Sequence, residues 1–185
     1  MPFYSNSTYG TVNHTSGTFY DQGKILANDG DSLSSATLAT QSALSIPVAG
    51  YERVMGIYTI WYNTDTTNEL SYRISVLDNA ASPAVIATKL ATHSLASISE
   101  ATASSATASA ANLECTGTYS TNGTGVTVNV DTTVADASAL WLQVSFNALL
   151  TANTKGNIVF QAANITGSAA GTNLLAGSNV IYKKW

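Results

Sequence analysis

A chain of 185 residues can bury one well-formed core and little more. Charged residues are only 10% of it, against about 25% in an average globular domain, and its net charge of −4 with seven scattered basic residues leaves no basic stripe of the kind a nucleic-acid binder uses. No run approaches the ~20 apolar residues of a membrane-spanning helix, so neither nucleic acid nor membrane is expected as a partner.

Residues 1–36 are polar and Gly-containing, punctuated by Phe3, Tyr4, Tyr9, Phe19 and Tyr20. Met1-Pro-Phe-Tyr-Ser-Asn6 has neither the basic nor the apolar stretch of a secretory signal, so none is expected. The Asn-x-Ser/Thr sequons at Asn6, Asn13, Asn122 and Asn164 are accordingly expected to carry nothing. A solvated linker seldom keeps so many rings. The stretch reads as an extended N-terminal arm that packs on its own domain or donates an edge strand, or that orders against a neighbouring subunit with its rings as anchors. Residues 37–185 read as the domain proper.

Asn28-Asp-Gly-Asp-Ser32 reads as an Asx-type turn, because its spacing does not match a Ca²⁺ loop. Ala36 to Pro47 is either a strand or an irregular extended run, with Pro47 holding its predecessor in extended geometry. Arg53–Tyr62 is rich in β-branched and aromatic residues. After the polar loop Asn63–Asn68, Glu69–Leu77 alternates, with Leu70, Tyr72, Ile74 and Val76 on one face and Ser71, Arg73 and Ser75 on the other. These two runs predict a hairpin.

Leu77–Pro83 reads as a loop and Val85–Leu90 as a short strand. Residues 91–111 are almost all Ala, Ser and Thr, which leaves a small-residue loop and close-packing strands both open. Leu113–Tyr119 and Gly125–Asp131 flank a turn containing Asn122-Gly123, which predicts a second hairpin. Val126, Val128 and Val130 are expected to face in, and Thr127, Asn129 and Asp131 out. Cys115 is in phase with Leu113 and Tyr119 and is expected to be a buried, inert thiol.

In the last third, Leu140, Leu142, Val144 and Phe146 alternate with Trp141, Gln143 and Ser145, which points Trp141 outward. The polar turn Thr151–Gly156 predicts a third hairpin, with Gly156–Ala162 as its second arm. Gly177–Trp185 is a further strand, expected to hold the terminus in the sheet. About eight strands and no convincing helix make the fold class all-β, a β-sandwich of jelly-roll type. An Ig-like sandwich is the nearest competitor, and its Cys…Trp…Cys pattern is absent.

Gly156-Asn-Ile-Val-Phe-Gln-Ala-Ala-Asn164 and Leu174-Leu-Ala-Gly-Ser-Asn-Val-Ile-Tyr182 resemble the closing strands of small jelly-roll domains in tailed-bacteriophage virion proteins. Val48-Ala-Gly-Tyr51, opening a long strand, and Tyr72-Arg-Ile74 in the next strand are similar too, so the likeness covers residues 45–78 and 138–185. The resemblance implies a non-enzymatic structural protein of the virion, located on the capsid surface. It would decorate or cement the capsid by binding the major capsid protein and neighbouring copies. The low charge agrees with a homo-oligomer, for which a trimer is favoured. The alternative is a tail-fibre tip or adhesin-like recognition module that binds host glycan through Trp61, Tyr62 or Trp141.

Motifs for catalysis are missing: there is no Gly-x-Ser-x-Gly, His-Glu-x-x-His, phosphate loop or Cys-x-x-Cys. His14, His93 and Cys115 are too few for a typical zinc site. Most carboxylates fall in predicted turns or on outward faces, away from any convergent set. The expectation is therefore no catalytic residue, no cofactor and no metal. The candidate partner contacts are Phe3, Tyr4, Tyr9, Phe19, Tyr20, Trp61 and Trp141, since an outward aromatic on a sandwich marks a subunit contact or a ligand surface.

Overall fold

Alternating runs dominate the chain, and alternation builds sheets with one apolar face each. The computed structural model describes residues 4–6, 11–13, 22–30, 33–64, 70–97, 113–130, 136–165 and 172–185. Their strands are β1 (Tyr4–Asn6), β2 (Thr11–Asn13), β3 (Gln22–Ile25), β4 (Ala39–Thr40), β5 (Ile46–Val48), β6 (Arg53–Thr64), β7 (Leu70–Asp78), β8 (Thr88–Ser97), β9 (Leu113–Ser120), β10 (Val128–Val130), β11 (Asp136–Leu150), β12 (Gly156–Asn164), β13 (Asn173–Leu174) and β14 (Asn179–Lys184). A 3₁₀ turn at Ser42–Leu44 is the only helical element among the described residues.

Two antiparallel sheets pack face to face as an all-β sandwich. The larger runs β3–β14–β6–β11–β8–β9, with β13 also paired to β6. The smaller runs β10–β7–β12–β4, with β5 also paired to β12. A separate β1–β2 ribbon precedes them. Inside the 1–36 stretch, β3 is an edge strand of the larger sheet, paired to β14, and Leu33 belongs to the core.

The inner faces are those the alternation predicts. Val54, Tyr58, Ile60 and Tyr62 of β6 and Leu140, Leu142, Val144 and Phe146 of β11 are buried. They meet Leu70, Tyr72, Ile74 and Val76 of β7 and Ile158 and Phe160 of β12. Rings bridge the layers: Tyr58 lies 5.4 Å from Phe146 in its own sheet and 5.5 Å from Phe160 in the other, and Phe160 stacks on Tyr72 at 5.8 Å. Burying each such side chain contributes about 1.5–3 kcal/mol. The Tyr58 hydroxyl is within reach of the Leu44 carbonyl at 3.3 Å and the Ile158 carbonyl at 3.5 Å, so the wall of the larger sheet is tied to the smaller one.

All three predicted hairpins are arches. β6 lies in the larger sheet and β7 in the smaller; β11 and β12 divide in the same way, as do β9 and β10. Strand length explains the partner choice. The longest strands, β6 with 12 residues and β11 with 15, pair with each other. The nine-residue β7 and β12 pair end to end, from Gly156 opposite Asp78 to Asn164 opposite Leu70. A β6–β7 hairpin would leave part of the longer strand without ladder bonds, a cost for every buried backbone group.

Other segments differ in detail. Val126, expected to face in, is 53% exposed. The Gly125 N–H donates to the Ile74 carbonyl, so regular pairing starts only at Val128 opposite Tyr72. Val128 packs partly against the core, and Val130 is buried. The short strand expected at Val85–Leu90 begins at Thr88 and continues to Ser97, so the first part of the Ala/Ser/Thr-rich stretch is β8. Residues 98–112 lie outside the described residues. Ala36–Pro47 becomes β4, the 3₁₀ turn and β5, with Pro47 exposed on an edge strand where its missing N–H costs nothing. Gly156 starts β12 because a Cβ there would sit 2.1 Å from the Leu77 carbonyl oxygen.

Candidate interaction surface

The outward set of the larger sheet forms a broad face, and the register orders it. Trp61 on β6 stands opposite Trp141 on β11. One row further along, Asn63 pairs with Asn173 of β13, and the Asn173 amide donates to the Asn63 side-chain oxygen at 3.0 Å. On the other side of the Trp pair, Thr59 lies between Asn179 and Gln143. The next row holds Ile181, Ile57, Ser145, His93 and Gly117. Trp61 is 38% exposed and Trp141 half-buried, so both tryptophans occupy the outer face, as the phase of β11 predicts for Trp141. Ile25 and Leu149 are also exposed on this face.

The turn that frames the Trp pair is built by Ala176-Gly177-Ser178. Gly177 has a φ of 90°, which favours glycine. Buried Ser178 accepts from the Trp61 N–H at 2.9 Å and donates toward the carbonyls of Leu175 (2.8 Å) and Trp61 (3.1 Å). The Asp29 carboxylate accepts from the Ala176 N–H at 2.8 Å, so the polar stretch near Asn28 braces this turn.

The face of the smaller sheet is different. There the Gln161 side-chain oxygen collects Arg73 Nε (3.1 Å), Arg73 Nη2 (2.9 Å) and the Ser75 hydroxyl (3.0 Å). These partners occupy one another, and the cluster reads as a structural clasp across β7 and β12. On the edge between the sheets, Lys24 donates to the Ser45 carbonyl. Burial, and then the charge of Lys184, lower its pKa below the usual lysine value. Lys184 itself bonds to the Pro47 carbonyl and lies 3.7 Å from Glu52, so the two adjacent lysines at the end of β14 point to different sides.

The remaining sequence candidates divide as follows. Phe3, Tyr9, Phe19 and Tyr20 lie outside the described residues, and for Tyr4 only the backbone, in β1, is described. The Cys115 side chain also lies outside them. Further along β9, Tyr119 is 62% exposed. Among the described residues no group of three or more His, Cys, Asp or Glu is placed to hold a metal ion. Exposed Leu149 and Tyr119 escaped the sequence reading. The signal for Leu149 was present, since it is out of phase with Leu142, Val144 and Phe146. Tyr119 gave none, because an aromatic on an edge strand alternates identically in either phase. No protein-family model, curated protein or solved structure matches the chain.

Proposed function

We propose that the chain is a non-enzymatic virion structural protein that decorates or cements a phage capsid by binding capsomers and neighbouring copies. The observation that carries this reading is the outer face of the larger sheet. It exposes Ile25, Trp61 and Leu149 and half-exposes Met55, Ile57, Trp141 and Ile181, among hydroxyl and amide side chains. Away from Arg53, Lys89 and Lys183 at its one end, this weakly charged face suits many modest contacts repeated by symmetry, where avidity does most of the holding. The passage of consecutive strands from one sheet to the other supports the jelly-roll form that the closing-strand resemblance implies. Immunogold labelling of intact particles tests the proposal: gold spread over the head is expected, and gold confined to the tail tip would overturn it.

A second reading has its own observation. The opposed Trp61 and Trp141, flanked by the bonded amides of Asn63 and Asn173, make an aromatic platform beside hydrogen-bonding groups. That combination suits a sugar ring, as in a tail-fibre tip or adhesin-like module for host glycan. A glycan array decides it: specific binding lost in both Trp61→Ala and Trp141→Ala favours recognition, and an array without specific binding removes this reading.

A further inference from the structure

Among the described residues, the outer strands of the sandwich are blunted, with one exception. β4, β10 and β13 have two or three residues each, and the three-residue β5 carries Pro47, which has no N–H to offer. β3 has four residues, and its Lys24 reaches across to the Ser45 carbonyl. β9 is different. It pairs with β8 along its whole length, from Ser120 opposite Leu90 to Leu113 opposite Ser97, and it ends the larger sheet. Its eight residues, Leu-Glu-Cys-Thr-Gly-Thr-Tyr-Ser, hold neither Lys nor Pro, and the register runs without a bulge. A strand of this kind offers a row of backbone N–H and C=O groups to another chain.

Gly117 stands in the middle of this strand, where glycine weakens pairing. Its own fold does not require it. A Cβ built there meets no atom within 4 Å, and its φ is not positive. A Cβ at Gly56, Gly125 or Gly156, by contrast, would collide with a ring or with backbone. Gly117 is exposed, and Tyr119, two positions on and on the same face, is 62% exposed. A strand glycine that its own chain leaves open marks a place where another backbone approaches closely. We propose that β9 pairs antiparallel with β9 of a second copy, across a two-fold axis at Gly117. That register sets Gly117 opposite Gly117 and Thr116 opposite Thr118, so each residue meets one of its own face. A strand paired with itself is an isologous contact that closes as a dimer, and the two larger sheets run on as one. Tyr119 then lies diagonally across from Gly117 of the second copy, within reach to cover the bare backbone there. The strand carries a single charged residue, Glu114, which this register sets opposite Ser120, away from its own copy. The contact uses a backbone edge away from Trp61 and Trp141. It does not rest on the proposed function, and its failure leaves that reading standing.

Sedimentation equilibrium on the full chain reads the outcome. A dimer with Kd below about 0.1 mM is expected for the wild type. Gly117→Lys finds open space in the folded chain, so its circular dichroism should be unchanged. In the dimer it sets two ammonium groups against each other at the axis and should weaken association at least about tenfold. Gly117→Glu should do the same with two carboxylates. Mixing the two variants pairs opposite charges and should restore the dimer. A wild-type chain that stays monomeric up to that concentration overturns the proposal. So does a dimer that both variants leave intact, which would assign the contact to the outer face of the larger sheet. A mixture of the two variants that fails to associate overturns it as well.

Discussion

Tyr58 shows how one residue joins the two layers and records the cost of doing so. Its phenol is fully buried, and burial first, then the charge of Tyr182, raise its pKa far above the ordinary 10.0. The folded state therefore keeps a proton that the unfolded chain gives up. Stability from this group is complete below pH 10.0, the unfolded value, and is lost as pH climbs toward the folded one. Urea titrations should show stability falling above that pH by up to about 1.4 kcal/mol per pH unit. Tyr58→Phe should cost about 1 kcal/mol at neutral pH through the lost hydrogen bond and flatten the alkaline slope. An unchanged slope in that variant would assign the titration to another group.

At the scale of elements, the turn between β13 and β14 acts as a joint. The physical role of Ala176-Gly177-Ser178 is set by its backbone and one hydroxyl. Gly177 supplies a left-handed turn, and Ser178 satisfies the Trp61 backbone where β13 hands over to β14 along β6. Ser178→Ala leaves the part-buried Trp61 N–H without its acceptor and should destabilise by about 1 kcal/mol, measured by chemical denaturation. Loss below about 0.5 kcal/mol would mean that water or a shifted backbone replaces the hydroxyl. The arches make the same point about elements. The polar connections after β6, β9 and β11 have the composition of hairpin turns, yet each leads to the other sheet, where β7 and β12 match each other in length and the three-residue β10 takes the edge beside β7.

For the whole molecule, the aromatic segment before β3 can be separated from the core by experiment. Deletion of residues 1–20 keeps β3 and its pairing with β14, so thermal unfolding should stay within a few degrees of the intact chain. Under the proposed function, with the rings of that segment as anchors, the same deletion should abolish capsid binding in a co-sedimentation assay. Full binding by the truncated chain would remove the segment from the mechanism and leave the outer face of the larger sheet to carry the attachment.

The sequence by itself determined the class of the fold and the apolar residues of β7 and β11 that face the core. Alternation is local, each side chain reporting its own face, so Leu140 to Phe146 and Leu70 to Val76 could be placed, and Trp141 pointed outward, without knowing any partner strand. Only the tertiary structure decided the pairing. A strand's apolar face is equally satisfied beside its neighbour in a hairpin or across from it in an arch, and no single strand carries the length and register of its distant partner. The same limit hid how the outer face of the larger sheet is assembled. Trp61 opposite Trp141 is a product of register, set where separate stretches of chain meet.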